Sequence, residues 1–181
     1  PVLCQRLLKH FQGNAVAISN AKKAELLSVK GLGIQTLEKI QNWQNYFDLD
    51  KELTSIASRK INFITLNDPH YPEVLKEILD PPIGYYHSGQ MKQISQPCVS
   101  IVGTRMASLY GRKQAREIAK GLAKLGFCIV SGMARGIDYE AHMGALEVGG
   151  TSVAVLGNGL DIIYPPEHFE LYQALLKQGC V

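Results

Sequence analysis

The sequence predicts an α/β protein in which a small all-helical domain precedes a parallel β-sheet. From residue 98 onward, short apolar stretches alternate with amphipathic stretches of helical length, which is the pattern of βαβ units. The apolar stretches are almost continuously hydrophobic, as parallel strands are when helices cover both faces of the sheet. The first 57 residues instead show only helical periodicity. We therefore expect a helical domain over residues 1–57 and a sheet domain over residues 58–181.

The helical part contains a glycine-rich turn with the spacing of a helix-hairpin-helix. Apolar residues such as Leu27, Leu32 and Ile34 surround Gly31 and Gly33, which permit a tight turn before the second helix. That helix begins with unpaired backbone amides, which can hold a DNA phosphate. The same turn can equally pack two helices together without binding a ligand. The sequence leaves both interpretations open.

Strands and helices alternate in the rest of the chain. Two short strands flank a proline-punctuated segment that contains a short helix, and three strand–helix units follow. The chain ends in a helix, a glycine and the first residues of another strand, so we expect the sheet domain to be incomplete at its C-terminus. The predicted strands are residues 61–66, 83–89, 98–103, 127–132 and 151–157, and the last three predicted helices are residues 108–126, 138–149 and 166–179.

Composition limits the classes of function. The 181 residues are 46% hydrophobic and 19% charged, which supports a packed core, and the net charge of +3 permits a nucleic-acid partner without requiring one. The four cysteines form no C-x-x-C pair, so we expect neither a disulfide framework nor a zinc site. We expect Cys98 and Cys128 to be buried, and the protein to work in a reducing cytoplasm. No apolar run reaches the ~20 residues of a membrane helix, so we expect no membrane partner.

The turns after the first two strands of the βαβ series carry the candidate ligand contacts, because ligands bind outside the carboxyl ends of strands in open α/β sheets. The glycine turns there lie near helix starts, which suits an anion, and the guanidinium groups of Arg105 and Arg135 suit a phosphate. From residue 103 to residue 135 the sequence has seven Lys or Arg against one acid, as a groove for a phosphate backbone requires. Three of these cations lie on one helix face that we expect to be solvated, namely Arg112, Arg116 and Lys120.

The same turns argue against other chemistries. A dinucleotide site needs G-x-G-x-x-G, but Arg105 stands at the second glycine position and the next strand ends without an acid, so we expect no NAD, no FAD and no other cofactor. Asp138 and His142 lie one helical turn apart and could form a general-base dyad, although such an Asp is more often a cap and such a His packs in the fold. No carboxylate cluster would hold a metal, so we expect binding rather than catalysis. Tyr164 could stack on a base, although such aromatics more often pack in a core.

Four motifs, in matching order and spacing, resemble the DNA-processing DprA (Smf) family. They are "NDPHYPEVLKEILDPPIGYYHSG", "SIVGTRMASLYG", "IVSGMARGIDYEAHMGAL" and "TSVAVLGNGLDIIYPPEH", and the match covers most of Asn62 to Gly179. The resemblance implies an extended Rossmann-like sheet with helices on both faces, preceded by a SAM-like or helix-hairpin-helix domain. It also implies a non-enzymatic, cytoplasmic bacterial protein of natural transformation. Such a protein binds and protects incoming single-stranded DNA, loads the RecA recombinase onto it, and forms a homodimer.

The resemblance further implies a binding site and one departure from the family. Members place a G-[ST]-R turn in a DNA pocket that the loop after the next strand borders. They also continue into an F-P-x-R-N-R-like segment that adds to the pocket and the dimer surface, whereas this chain stops at Val181 before it. The nucleic-acid-binding residues carried over to this sequence are Gly103, Thr104, Arg105, Ser131, Gly132, Arg135 and Gly136.

Two other interpretations belong to different classes of protein. One is a nucleotide-processing phosphoribohydrolase of the lysine-decarboxylase-like Rossmann group, whose P-G-G-x-G-T-x-x-E motif carries a reactive glutamate. The corresponding stretch here, "GNGLDIIYPP", has no such glutamate, and release of adenine from AMP would support this interpretation. The other is a protein-interaction scaffold with incidental basic residues, which absence of DNA binding by the intact protein would support.

Overall fold

The computed structural model of the chain describes residues 2–90 and 96–181. The chain divides into two units, one of residues 1–59 with 63–85 and the other of residues 60–62 with 86–181. The domain boundary expected after residue 57 stays a prediction. Within the described ranges, no helix is long and apolar enough to cross a membrane.

Short amphipathic helices form most of the first unit and bury one cluster of aliphatic side chains. Two of the helices begin at side-chain caps, because Asn14 accepts a hydrogen bond from Ala17 N at 2.9 Å and Asp48 accepts one from Lys51 N at 3.0 Å. The buried cluster consists of Leu7, Leu26, Val29, Leu32 and Leu37. The helices are α1 (Val2–His10), α2 (Ala15–Asn20), α3 (Lys23–Leu27), α4 (Ile34–Gln41) and α5 (Leu49–Ser58), with a 3-10 turn at Trp43–Asn45.

Two short strands and a short helix follow, as predicted. The strands β1 (Asn62–Thr65) and β2 (Gly84–His87) pair with each other, and α6 (Glu73–Lys76) lies between them in the chain. The proline-rich segment around α6 is anchored by Tyr71, which is 2% exposed and donates a hydrogen bond to Pro82 O at 2.8 Å.

The second unit is built on a four-stranded parallel sheet, which confirms the predicted architecture. Its strands follow one another in sequential order, and their register pairs Val99 with Ile129 and Val130 with Val153. A helix follows each of the first three strands. The elements are β3 (Cys98–Ser100), α7 (Leu109–Lys124), β4 (Cys128–Ser131), α8 (Ile137–Glu147), β5 (Ser152–Ala154), a 3-10 turn at Pro166–His168, α9 (Phe169–Gln178) and β6 (Gly179–Cys180).

The three crossover helices α7, α8 and α9 pack on one face of this sheet. On that face, Ile129 packs with alanines of α7 and α8, and Ala154 packs with leucines of α9. The sequence predicted helices on both faces of the sheet, but these three helices cover only one. Each connection is right-handed and leads to the next strand on the same side, so all three helices lie on the same face. Among the described residues, the second face carries a separate buried cluster of Cys128, Val153 and Cys180. Cys98 was also expected to be buried, but it is exposed on β3.

Helices α7 and α8 approach each other closely because small residues line their contact. A Cβ atom on Gly144 would lie 2.4 Å from Arg116 O and 2.9 Å from the Cβ of Ala119, so only glycine fits there. Salt bridges tie the same two helices together at their surface. Arg116 lies 2.7 Å from Glu140 and 3.0 Å from Glu147, and Lys120 lies 2.7 Å from Glu147.

Candidate nucleic-acid interface

The turns that follow β3 and β4 interlock at the carboxyl end of the sheet. Gly136, which has φ +79°, passes so close to the first turn that a Cβ would lie 2.3 Å from Thr104 O and 2.8 Å from Arg105 O. A Cβ on Gly103 would lie 2.7 Å from Ile137 Cγ1, and Ile137 N donates a hydrogen bond to Thr104 O at 3.2 Å. The predicted residues of the two turns therefore come together, and glycine at positions 103 and 136 is what allows it.

The buried carboxylate of Asp138 accepts hydrogen bonds from backbone amides of both turns. Asp138 is 7% exposed, and its oxygens accept hydrogen bonds from Gly103 N at 3.3 Å, Gly132 N at 3.2 Å and Ala134 N at 3.4 Å. The sequence predicted that the amides of these glycine turns would receive a phosphate. The structure differs for Gly103 and Gly132, because both amides already donate to Asp138.

Arg105 is the exposed cation at the tip of the first turn. Within residues 2–90 and 96–181 its guanidinium makes neither an ion pair nor a hydrogen bond, and the backbone amides of Thr104 and Arg105 donate to no acceptor. Met106 N donates to Thr104 Oγ1 at 3.1 Å, which closes the turn. Within the described residues, this turn thus keeps a guanidinium and two backbone amides free to meet an anion.

The positive charge near this turn is more localised than the sequence indicated. Arg116 and Lys120, expected on a solvated face, are instead neutralised by the acids of α8. Arg112 and Lys113 lie near the start of α7, close in sequence to the turn that holds Arg105, and neither forms an ion pair in the described part of the chain. Among residues 103–135, the cations without an ion pair in the described part of the chain are therefore Arg105, Arg112, Lys113 and Lys124, and all but Lys124 lie near the N-terminal end of α7.

Arg135 lies on the rim of the second turn but is already engaged. Its Nε lies 2.5 Å from an oxygen of Glu167, and its guanidinium carbon lies 6.0 Å from the centre of the Tyr164 ring. The hydrogen bond between the two charged groups raises the pKa of Arg135 and lowers the pKa of Glu167. Arg135 thus differs from Arg105, since a phosphate would have to compete with Glu167 for it.

Two histidines that the sequence did not assign to the site fix the second turn. Met133 has φ +56°, its N–H donates to His142 Nε2 at 3.2 Å, and its carbonyl lies 2.9 Å from His168 Nδ1. Because His142 Nε2 accepts, its Nδ1 carries the proton and donates to Ser152 Oγ at 2.7 Å. Burial and the neighbouring His168 lower the pKa of His142 to about 3, so His142 is neutral at pH 7.

These partners separate the two side chains that could have formed a catalytic dyad. His142 is fully buried and bonds Met133 and Ser152, whereas Asp138 bonds backbone amides. The hydroxyl of Ser131, predicted to bind nucleic acid, is also turned inward and donates to Ile101 O at 2.7 Å. In the described ranges, no group of three or more His, Cys, Asp or Glu residues is placed to bind a metal.

In the first unit, the glycine turn lies between two helices. It joins α3 to α4, Gly31 has φ +92°, and Arg6 Nη1 donates to Lys30 O at 2.9 Å. A Cβ on Gly33 would meet nothing within 4 Å. Whether this turn binds DNA stays a prediction.

Comparison with known proteins gives consistent similarities. The family model described as DNA recombination-mediator protein A matches residues 62–181. Protein Smf of Synechocystis sp. is 39% identical, and the match covers all of this chain and 46% of that protein. The crystal structure of DNA processing protein A from Streptococcus pneumoniae superimposes with a TM-score of 0.78 and 29% identity over 98% of this chain and 61% of that one.

A further solved structure concerns DNA binding. It is described as showing the single-stranded DNA binding mode of DNA processing protein A from Helicobacter pylori. It matches with a TM-score of 0.57 and 32% identity, over 66% of this chain and 54% of that one. The chain spans less than half the length of the curated relatives it matches.

Proposed function

Since the chain belongs to the DNA recombination-mediator protein A family, we propose that it acts as a recombination mediator that binds single-stranded DNA. The proposal is supported by the relative from Helicobacter pylori, which binds single-stranded DNA. It is also supported by the Rossmann-like sheet, whose carboxyl end carries the candidate interface.

The single observation that carries the proposal is the environment of Arg105. Its guanidinium is exposed and unpaired within the described residues, on a turn held in place by Gly136 and Asp138. A fixed turn with a cation and adjacent amides suits a phosphodiester, because little conformational entropy is lost when the anion binds. The proposed phosphate contacts are Thr104 and Arg105. Arg135 lies at the rim of the interface paired with Glu167, while Gly103, Ser131, Gly132 and Gly136 shape the turns behind these contacts.

The finer parts of the proposal rest on the family alone. We propose that the protein protects incoming DNA during natural transformation, loads RecA onto it and works as a homodimer. We also propose that it acts in the cytoplasm and catalyses no reaction, consistent with separate structural roles for Asp138 and His142.

The test is equilibrium binding of the full-length protein to a fluorescent 20-nucleotide single strand, followed by anisotropy. We expect Arg105→Ala to weaken binding about tenfold, which corresponds to ~1.4 kcal/mol for one lost charge-assisted contact. Lys124→Ala is the matched control, because Lys124 lies at the opposite end of α7 and forms no ion pair with another described residue. We expect that variant to bind within about twofold of wild type.

Two results would contradict the proposal. Wild-type protein without measurable affinity for single strands at low salt would exclude the function. Equal affinities of the Arg105→Ala and wild-type proteins would exclude the site while leaving DNA binding in place.

A further inference from the structure

The cluster of Tyr164, Arg135 and Glu167 forms a second feature of the carboxyl edge. Tyr164 comes from the loop after β5, and the residue is 47% exposed. Its neighbours Leu160 and Ile163 pack against the α9 core, but Tyr164 does not belong to that cluster. The fold therefore uses the adjacent aliphatic side chains for packing and leaves this aromatic ring at the surface.

The loop that carries Tyr164 is held by internal hydrogen bonds. Asn158 Nδ2 donates to Ile162 O at 2.6 Å and to Gly159 O at 3.0 Å, and Ile162 N donates to Gly159 O at 3.2 Å. These bonds constrain the backbone two residues before the ring. An aromatic side chain on a constrained loop loses little freedom when a ligand covers it.

The charge of the cluster is balanced, which distinguishes it from Arg105. The Nε of Arg135 and a carboxylate oxygen of Glu167 are 2.5 Å apart, and the guanidinium carbon is 6.0 Å from the ring centre, at the outer limit of a cation–π contact. A phosphate would be repelled by Glu167 and would have to replace it at Arg135. An uncharged planar group meets neither obstacle.

Two apolar side chains of the same loop are also exposed. Val155 is 65% exposed and Ile162 is 56% exposed, on either side of the Asn158 hydrogen bonds in sequence. Along the chain, Arg135 is followed by Gly136, whose backbone contacts Thr104 and Arg105. Arg135, which lies against the Tyr164 ring, is therefore one residue from the glycine that meets the turn proposed to hold a phosphate.

We propose that Tyr164 is a stacking platform for an unpaired base of the DNA strand, and that the ion pair between Arg135 and Glu167 positions it. This inference rests on the proposed function and names the base contact that accompanies the phosphate contact at Arg105. Single-strand-binding proteins combine these two elements, since each base carries an aromatic face whatever its identity. Glu167 is a positioning residue, because it holds Arg135 against the ring and keeps that cation from attracting phosphate.

The test compares two ligands of equal charge, a 20-nucleotide oligothymidylate and an abasic strand of the same length. We expect Tyr164→Leu to weaken binding to oligothymidylate about tenfold, as loss of one stacked base does, and to leave binding to the abasic strand unchanged. The conservative variant Tyr164→Phe keeps the ring, so its affinity for oligothymidylate should stay within about twofold of wild type. Arg105→Ala should weaken binding to both strands.

The positioning role of Glu167 has its own readout. Glu167→Gln removes the carboxylate and leaves the guanidinium of Arg135 available to phosphate. We expect the slope of log K against log salt to become steeper by about 0.7, the value for one additional phosphate contact on a single strand. A structural role alone would change affinity without changing this slope.

The outcomes separate this inference from the proposed function. If Tyr164→Leu binds oligothymidylate as wild type does, or loses equal affinity for both strands, the stacking platform is wrong while DNA binding stands. An unchanged salt slope in Glu167→Gln overturns the positioning role. A wild-type protein that binds neither strand overturns the proposed function and this inference with it.

Discussion

Substitution of Gly136 by alanine tests the contact between the two turns. The added Cβ would lie 2.3 Å from Thr104 O and 2.8 Å from Arg105 O, so the first turn must move by about 1 Å to reach an ordinary contact distance. Overpacking of this kind costs roughly 1–3 kcal/mol, and a strained backbone at φ +79° adds a cost of the same order. We therefore expect Gly136→Ala to lose about 3 kcal/mol of unfolding free energy in urea and about tenfold in affinity for single-stranded DNA.

Gly126 supplies the matched control for this prediction. It also has a positive φ, +86°, but a Cβ there would meet nothing within 4 Å. Gly126→Ala should therefore lose only the roughly 1–2 kcal/mol of the left-handed backbone and should keep its DNA affinity. Equal losses of stability in the two variants, with DNA affinity unchanged in Gly136→Ala, would refute the proposed contact between the turns.

Three further predictions concern the support of the site. Asp138→Asn places an amide group against backbone N–H donors, so urea unfolding should show a loss of about 1–3 kcal/mol, and no loss would exclude the carboxylate clamp. The folded pKa of His142 is about 3, below its usual 6.5, so between these pH values the unfolded chain binds a proton that the folded chain does not. The free energy of unfolding should therefore fall as the pH drops from 6.5 towards 3. His142→Gln should flatten this part of the plot of unfolding free energy against pH. Gly144→Ala, whose Cβ would meet Arg116 O, should lower the free energy of unfolding by about 1–3 kcal/mol. Gly121→Ala, whose Cβ would meet nothing within 4 Å, should raise it by ~0.5–1 kcal/mol. A higher thermal midpoint for Gly144→Ala than for Gly121→Ala would contradict the close packing of α7 and α8.

The order and type of the elements could be predicted because their signals are local. Apolar strands such as Cys128–Ser131 and the glycine stop at Gly126 are visible within a few residues of sequence. The face on which the helices pack was not visible in this way. It depends on the order of strands in the sheet, and hydrophobic periodicity does not contain that order.

The sequence indicated which exposed residues belong to the site, but not which partners those residues and their neighbouring amides already have. The sequence located the turn of Arg105, but it did not reveal that Asp138, 35 residues beyond Gly103, binds the Gly103 amide. The pair of Arg135 and Glu167 likewise joins residues 32 positions apart. Such long-range partners depend on how two loops meet in space, so no local pattern could indicate which amides and cations remain available.

The salt dependence of single-strand binding tests the central claim most directly, because it counts the phosphates that the protein neutralises. The slope of log K against log salt should be shallower by about 0.7 in Arg105→Ala than in wild type, while Lys124→Ala should keep the wild-type slope. Identical slopes for Arg105→Ala and wild type would contradict the claim that the Arg105 guanidinium meets a DNA phosphate.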